Sequence, residues 1–201
     1  MKTQMRRNKS FLGVLSLAFL ALAGLGFGQT VDHGLGAFSN ENGAILVAVD
    51  AALVKKDLQE PYVMFYGFLA SKDPNVPIRV AAKDVVMVYK RREIPMLSLS
   101  ELRDKYRGEI RDMNFYRRLG KEGIISSWVR LYQFPEPSSF FPPLTLSAPL
   151  AVREAYMLGF NGFMTPLYFK NPGFTKGDRL TIKVRDAKDP ALTGECDVVL
   201  D

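Results

Sequence analysis

The chain has 201 residues, 47% of them hydrophobic, with 27 Lys and Arg against 21 Asp and Glu. That is ordinary globular composition, sufficient for one core and far from a disordered chain. One cysteine and one histidine exclude a disulfide framework and argue against His/Cys metal sites, which need several such ligands.

The first residues, MKTQMRRNKS, carry Lys2, Arg6, Arg7 and Lys9 and no acid. The uncharged run Phe11–Leu22 follows, then the small pairs Ala21/Ala23 and Gly26/Gly28. This order of charged, apolar and small residues reads as a secretory signal over 1–28, cut after Gly28 or after Ala23. The rival reading is an uncleaved anchor, because Phe11–Thr30 could just span a bilayer. Four glycines in that run favour cleavage. A lipid anchor lacks a cysteine near the cut, and Asn8-Lys9-Ser10 after Arg6-Arg7 does not support a twin-arginine signal.

Removing 1–28 leaves 23 basic against 21 acidic residues. The basic character belongs largely to the discarded segment, and no nucleic-acid partner follows from it. With cleavage no membrane span remains, and the expected location is the periplasm or the medium. Nothing in the sequence calls for a cofactor.

Residues 29–43 are polar and Gly-rich and read as a flexible leader; 44–201 then form one domain. In Ala44–Val54, residues Ile45, Val47, Val49, Ala51 and Leu53 alternate as a strand, with a helix as the alternative. Pro61–Ala70 is apolar on both faces and reads as a buried central strand. Lys83–Arg91 is a strand flanked by charges. Ser98 and Glu101 have capping-box spacing, and Leu99, Leu102, Tyr106, Ile110 and Met113 recur at helical steps. These predict a helical insertion over 98–119 with a solvated, mixed-charge outer face.

Strands resume at Ser126–Phe134, where Trp128, Arg130, Tyr132 and Phe134 share a face. Four prolines from Pro135 to Pro143 demand a shaped loop, since proline lacks the N–H and fixes φ. Asn161-Gly162 between two apolar runs predicts a two-residue hairpin. Pro166 in the second run marks a sheet edge or a bulge. Leu180, Ile182 and Val184 form the apolar face of one strand; Cys196, Val198 and Leu200 form that of the last. Cys196 thus reads as a small buried hydrophobe and not a reactive thiol.

About eight strands with regular turn signals point to a mainly β fold, an antiparallel β-sandwich of immunoglobulin-like general character with one helical insertion. Over roughly the last fifty residues, the strand–turn–strand–loop–strand ending resembles immunoglobulin-like domains of bacterial envelope proteins, without their Cys…Trp…Cys core.

The chemistry-bearing residues point away from catalysis. His33 would have to serve any Ser-His-Asp or Cys-His site, yet it lies in the polar leader, where rigid placement is hard to achieve. Asp178, Asp186 and Asp189 could offer oxygens to Ca²⁺, but turn aspartates are ordinarily backbone acceptors. The candidate partner-binding residues are Trp128, Tyr132, Phe134, Phe140 and Phe141. If exposed, they form an aromatic patch for an envelope protein or a glycan; if buried, they form a lid over one sandwich end. The expected function is a non-catalytic exported binding or structural domain. The alternatives are a hydrolase with two carboxylates about 5–10 Å apart and an architectural envelope component.

Overall fold

The computed structural model describes residues 30–106, 131–134, 139–141 and 151–201. Eleven strands and two short α-helices occur among them: β1 Val31–Gly34, β2 Ala37–Asn40, β3 Ile45–Asp50, α1 Ala52–Lys56, β4 Tyr62–Ser71, β5 Ile78–Ala81, β6 Val85–Tyr89, β7 Arg92–Pro95, α2 Leu99–Lys105, β8 Glu154–Met157, β9 Phe163–Lys170, β10 Asp178–Arg185 and β11 Thr193–Leu200. They form a five-stranded sheet, β1-β2-β3-β4-β9, a four-stranded sheet, β11-β10-β6-β7, and the pair β5-β8. Every ladder is antiparallel. The expected mainly β sandwich with a small helical insertion is therefore the observed architecture.

The core follows from strand alternation. Leu180, Ile182 and Val184 of β10 and Cys196, Val198 and Leu200 of β11 are buried, while their neighbours are partly or fully exposed. They meet Phe38, Ile45, Val47, Val49, Phe65 and Leu167 from the larger sheet. The β3 strand is buried along its whole length because its other face also has a cover. There Leu46 and Ala48 join Ala37, Phe68 and Ala70 in a second apolar cluster. Each fully buried Val, Leu, Ile or Phe contributes about 1.5–3 kcal/mol relative to exposure.

The two sheets meet closely where β11 crosses β3. A Cβ at Gly194 would overlap the Ile45 carbonyl oxygen and lie 2.8 Å from Val47 Cγ2. A Cβ at Gly43 would lie 2.9 Å from Gly194 Cα. Backbones can approach like this only where side chains are missing on the facing sides.

Several expectations hold. Pro61–Ala70 becomes β4, central between β3 and β9. Pro166 lies on β9, an edge of its sheet, where the missing N–H interrupts no further ladder. Ser98 caps α2: its hydroxyl accepts from the Glu101 N–H at 3.2 Å, and Glu101 accepts from the Ser98 N–H at 3.0 Å. Of the predicted 98–119 insertion, α2 covers Leu99–Lys105, and residues 107–119 lie outside the described residues.

Others need correction. Residues 29–43 are not a free leader: Val31–Gly34 and Ala37–Asn40 form a hairpin paired onto β3, and β2 is entirely buried. Its few apolar residues, Ala37 and Phe38, suffice because neighbouring strands supply the rest of the core. Ala44–Val54 divides, with the strand stopping at Asp50, whose carboxylate accepts from the Ala52 N–H at 2.9 Å and starts α1. The predicted Asn161-Gly162 hairpin does not form. The strand before it, β8, pairs with β5, and β9 pairs with β4. The chain instead turns at Leu158–Asn161, with Gly159 at φ 63° and the Asn161 N–H donating to the Leu158 carbonyl. Gly162 is needed for space: a Cβ there would meet the Phe134 ring and the Leu69 carbonyl oxygen. Among the described residues of the expected strand 126–134, only Gln133 joins β structure, in an isolated bridge to Asn161.

Candidate functional site

The aromatic loop turns inward. Phe140 is 4% exposed and Phe141 6%. Phe140 packs on Phe163 with centroids 4.8 Å apart, and Phe141 meets Tyr168 edge-on at 5.2 Å. The loop is pinned to β9 by Thr165, whose Oγ1 accepts from the Phe140 N–H at 3.1 Å and lies 3.1 Å from Ser139 Oγ. Tyr132 and Phe134 cover the back of the larger sheet, with Phe134 5.5 Å from Phe68. Burial raises the Tyr132 phenol, and the charge of Glu41 adds to this. Phe140 and Phe141 are thus buried, and Tyr132 and Phe134 are partly buried against the sheet, as aromatic area gains most by burial. Trp128 lies outside the described residues.

A different set of apolar side chains faces solvent. Phe160 is 68% exposed, Leu131 67%, Tyr156 52% and Leu158 36%. Tyr156 on β8 and Leu158 just after it lie opposite the buried Ala155 and Met157, and Phe160 stands on the turn that follows. Leu131 is tied to them through the backbone: the Gln133 N–H donates to the Phe160 carbonyl at 2.8 Å, and the Gly162 N–H donates to Gln133. Arg79, on the neighbouring β5, stacks over the Tyr156 ring at 5.2 Å and bonds Glu154 at 3.2 Å. The sequence signal for this group is that both registers of EAYMLGF are apolar, whereas a half-buried strand needs only one. The hairpin reading assigned those residues to pairing and concealed it.

The aspartates behave as backbone acceptors. Asp186 Oδ1 accepts from Lys188 and Asp189 N–H, both at 2.8 Å, and Oδ2 accepts from Arg79 N–H at 2.6 Å. Asp178 Oδ2 accepts from the Tyr89 hydroxyl at 2.7 Å and from the Thr175 N–H at 2.8 Å. Among the described residues no group of three His, Cys, Asp or Glu side chains is placed to hold a metal.

His33 is held more firmly than expected. Its Nε2 lies 2.7 Å from Ser39 Oγ, across the first hairpin. A nucleophile–base pair has this spacing, but a working triad also needs a group orienting the other ring nitrogen. Among the described residues none bonds it. The contact fastens the exposed β1 to the buried β2. Asp57 and Glu60 line a small cavity with Leu53, Tyr62 and Tyr106. Its space of about 10 Å³ suits one water. Cys196 is fully buried, and burial pushes its thiol far up, with Asp197 adding to the effect.

Comparison with known proteins finds no matching family model, no similar curated protein and no similar solved structure.

Proposed function

We propose that the mature chain is an exported, non-catalytic domain that binds a protein partner through Leu131, Tyr156, Leu158 and Phe160. The observation that carries this reading is the solvent exposure of two aromatic and two aliphatic side chains on two segments joined by backbone hydrogen bonds. Aromatic residues with a neighbouring arginine are the usual anchors of protein interfaces. A protein suits the group better than a glycan: Arg79 already covers one face of Tyr156, and the two leucines offer a sugar no hydrogen bond. Export rests on the signal-like residues 1–28.

The test compares wild-type protein with Phe160→Ser and Leu131→Ser in recovery from an envelope fraction. A partner recovered with wild type should bind each variant about tenfold less tightly, with melting temperatures unchanged. Equal recovery would remove this segment as the binding surface.

A further inference from the structure

The β6–β7 hairpin closes with two residues, because Tyr89 pairs directly with Arg92. Those two are Lys90 at φ 47° and Arg91 at φ 67°, the positive-φ pattern of a type I′ turn. Asn-Gly is the favoured occupant of such a turn, and long side chains pay a conformational penalty there. Here the turn holds two cations, and Arg92 adds a third immediately after it.

The adjoining elements extend the charge. Leu180 of β10 pairs with Tyr89, so Arg179 sits beside Lys90 in the next strand. Phe174 packs on Tyr89 with centroids 5.0 Å apart, which brings the loop carrying Lys176 to the same end. Tyr89 is the hub: Lys90 lies over its ring at 4.6 Å, and its hydroxyl holds Asp178. All five cations are exposed. Asp178 is the one carboxylate among them; nearby Glu93 is bound to Arg185, and Asp201 to Lys55. Among the described residues no carboxylate pairs with Arg91, Arg92 or Arg179.

We propose that this cationic hairpin end docks the domain onto the phosphate headgroups of an anionic membrane surface. Two observations favour a lipid surface. The charges stand on a projecting turn and its flanking loop, which suits many weak contacts to a plane. The chain's near-neutral balance after residue 28 makes this end a local excess rather than part of a general basic surface. The choice of lipid rests on the export reading, but the residues differ from the apolar group above, so each claim can fail alone.

The protein as recovered after export is co-sedimented with vesicles of phosphatidylglycerol in phosphatidylcholine, and with phosphatidylcholine alone. Binding is expected to the anionic vesicles only, and to disappear at high salt. The variant Lys90→Asn/Arg91→Gly should bind them roughly thirtyfold more weakly, each cation near a membrane surface contributing about a fivefold effect. The same variant should melt about 2–4 °C higher, since it suits the turn better. That rise separates lost charge from lost structure. Equal vesicle binding by variant and wild type overturns the proposal. So does wild-type protein that ignores vesicles, whether it takes up inorganic phosphate, retains an acidic protein or binds neither.

Discussion

Asp186 is the residue whose removal should do most damage for its size. Its carboxylate sits 5% exposed at the end of β10 and accepts three backbone N–H groups, two from the following turn and one from Arg79 on β5. The reciprocal Ala187 N–H to Arg79 carbonyl bond, 2.7 Å, completes the junction of two sheets. Hydrogen bonds to a charged group each contribute about 1.5–3 kcal/mol net. The Lys188 and Asp189 N–H groups lie in an exposed turn, where water replaces the lost acceptor, so the full sum is not realised. Asp186→Ala should therefore cost about 3–4 kcal/mol. Asp186→Asn keeps one oxygen for the turn but sets an NH₂ against the Arg79 N–H, and should cost about 2 kcal/mol.

The pH dependence gives an independent check. Burial alone would raise this carboxyl; the N–H bonds from Arg79, Asp189 and Lys188, with the Arg79 charge, outweigh it and hold the group below its ordinary 3.8. An acid whose folded value is depressed contributes its stability above the unfolded value and loses it as pH falls through the folded one. Urea unfolding of wild type and Asp186→Asn should show the full gap at neutral pH and a shrinking gap below about pH 4. A gap of under about 0.5 kcal/mol at neutral pH, or one that stays constant down to acid pH, would refute the reasoning.

Two further outcomes concern packing. Gly194→Ala should destabilise by more than about 3 kcal/mol or prevent folding, because the added methyl meets the Ile45 backbone and not a side chain that can move; a cooperative unfolding transition unchanged in midpoint would disprove the close approach of β11 to β3. Cys196 should be silent to an aromatic disulfide reagent in native buffer and react fully in denaturant, since its thiol is buried and held protonated; rapid labelling of native protein would contradict that burial.

What the sequence could express was local. Alternation in β10 and β11 depends only on which neighbours are apolar, and it placed Cys196, Val198 and Leu200 on the core face correctly. The Ser98–Glu101 cap is a contact between residues three apart, legible for the same reason. Pro166 announced an edge or a bulge because a missing N–H interrupts a ladder, and β9 takes the edge. Pairing between distant strands was not legible. Asn161-Gly162 has ideal hairpin chemistry, yet β8 gains more by joining β5, and Gly162 serves the Phe134 ring instead. The first hairpin looked like a leader because its own apolar content is small; β3 and the opposite sheet bury it. Whether an aromatic residue is lid or surface is likewise a tertiary question. Phe140 and Phe141 face inward because Thr165 on β9 receives their loop, whereas Phe160 stays in solvent because the turn at Gly159 carries it past the sheet. Local chemistry determined the elements and their faces; long-range burial decided which faces met, and so which residues were left exposed.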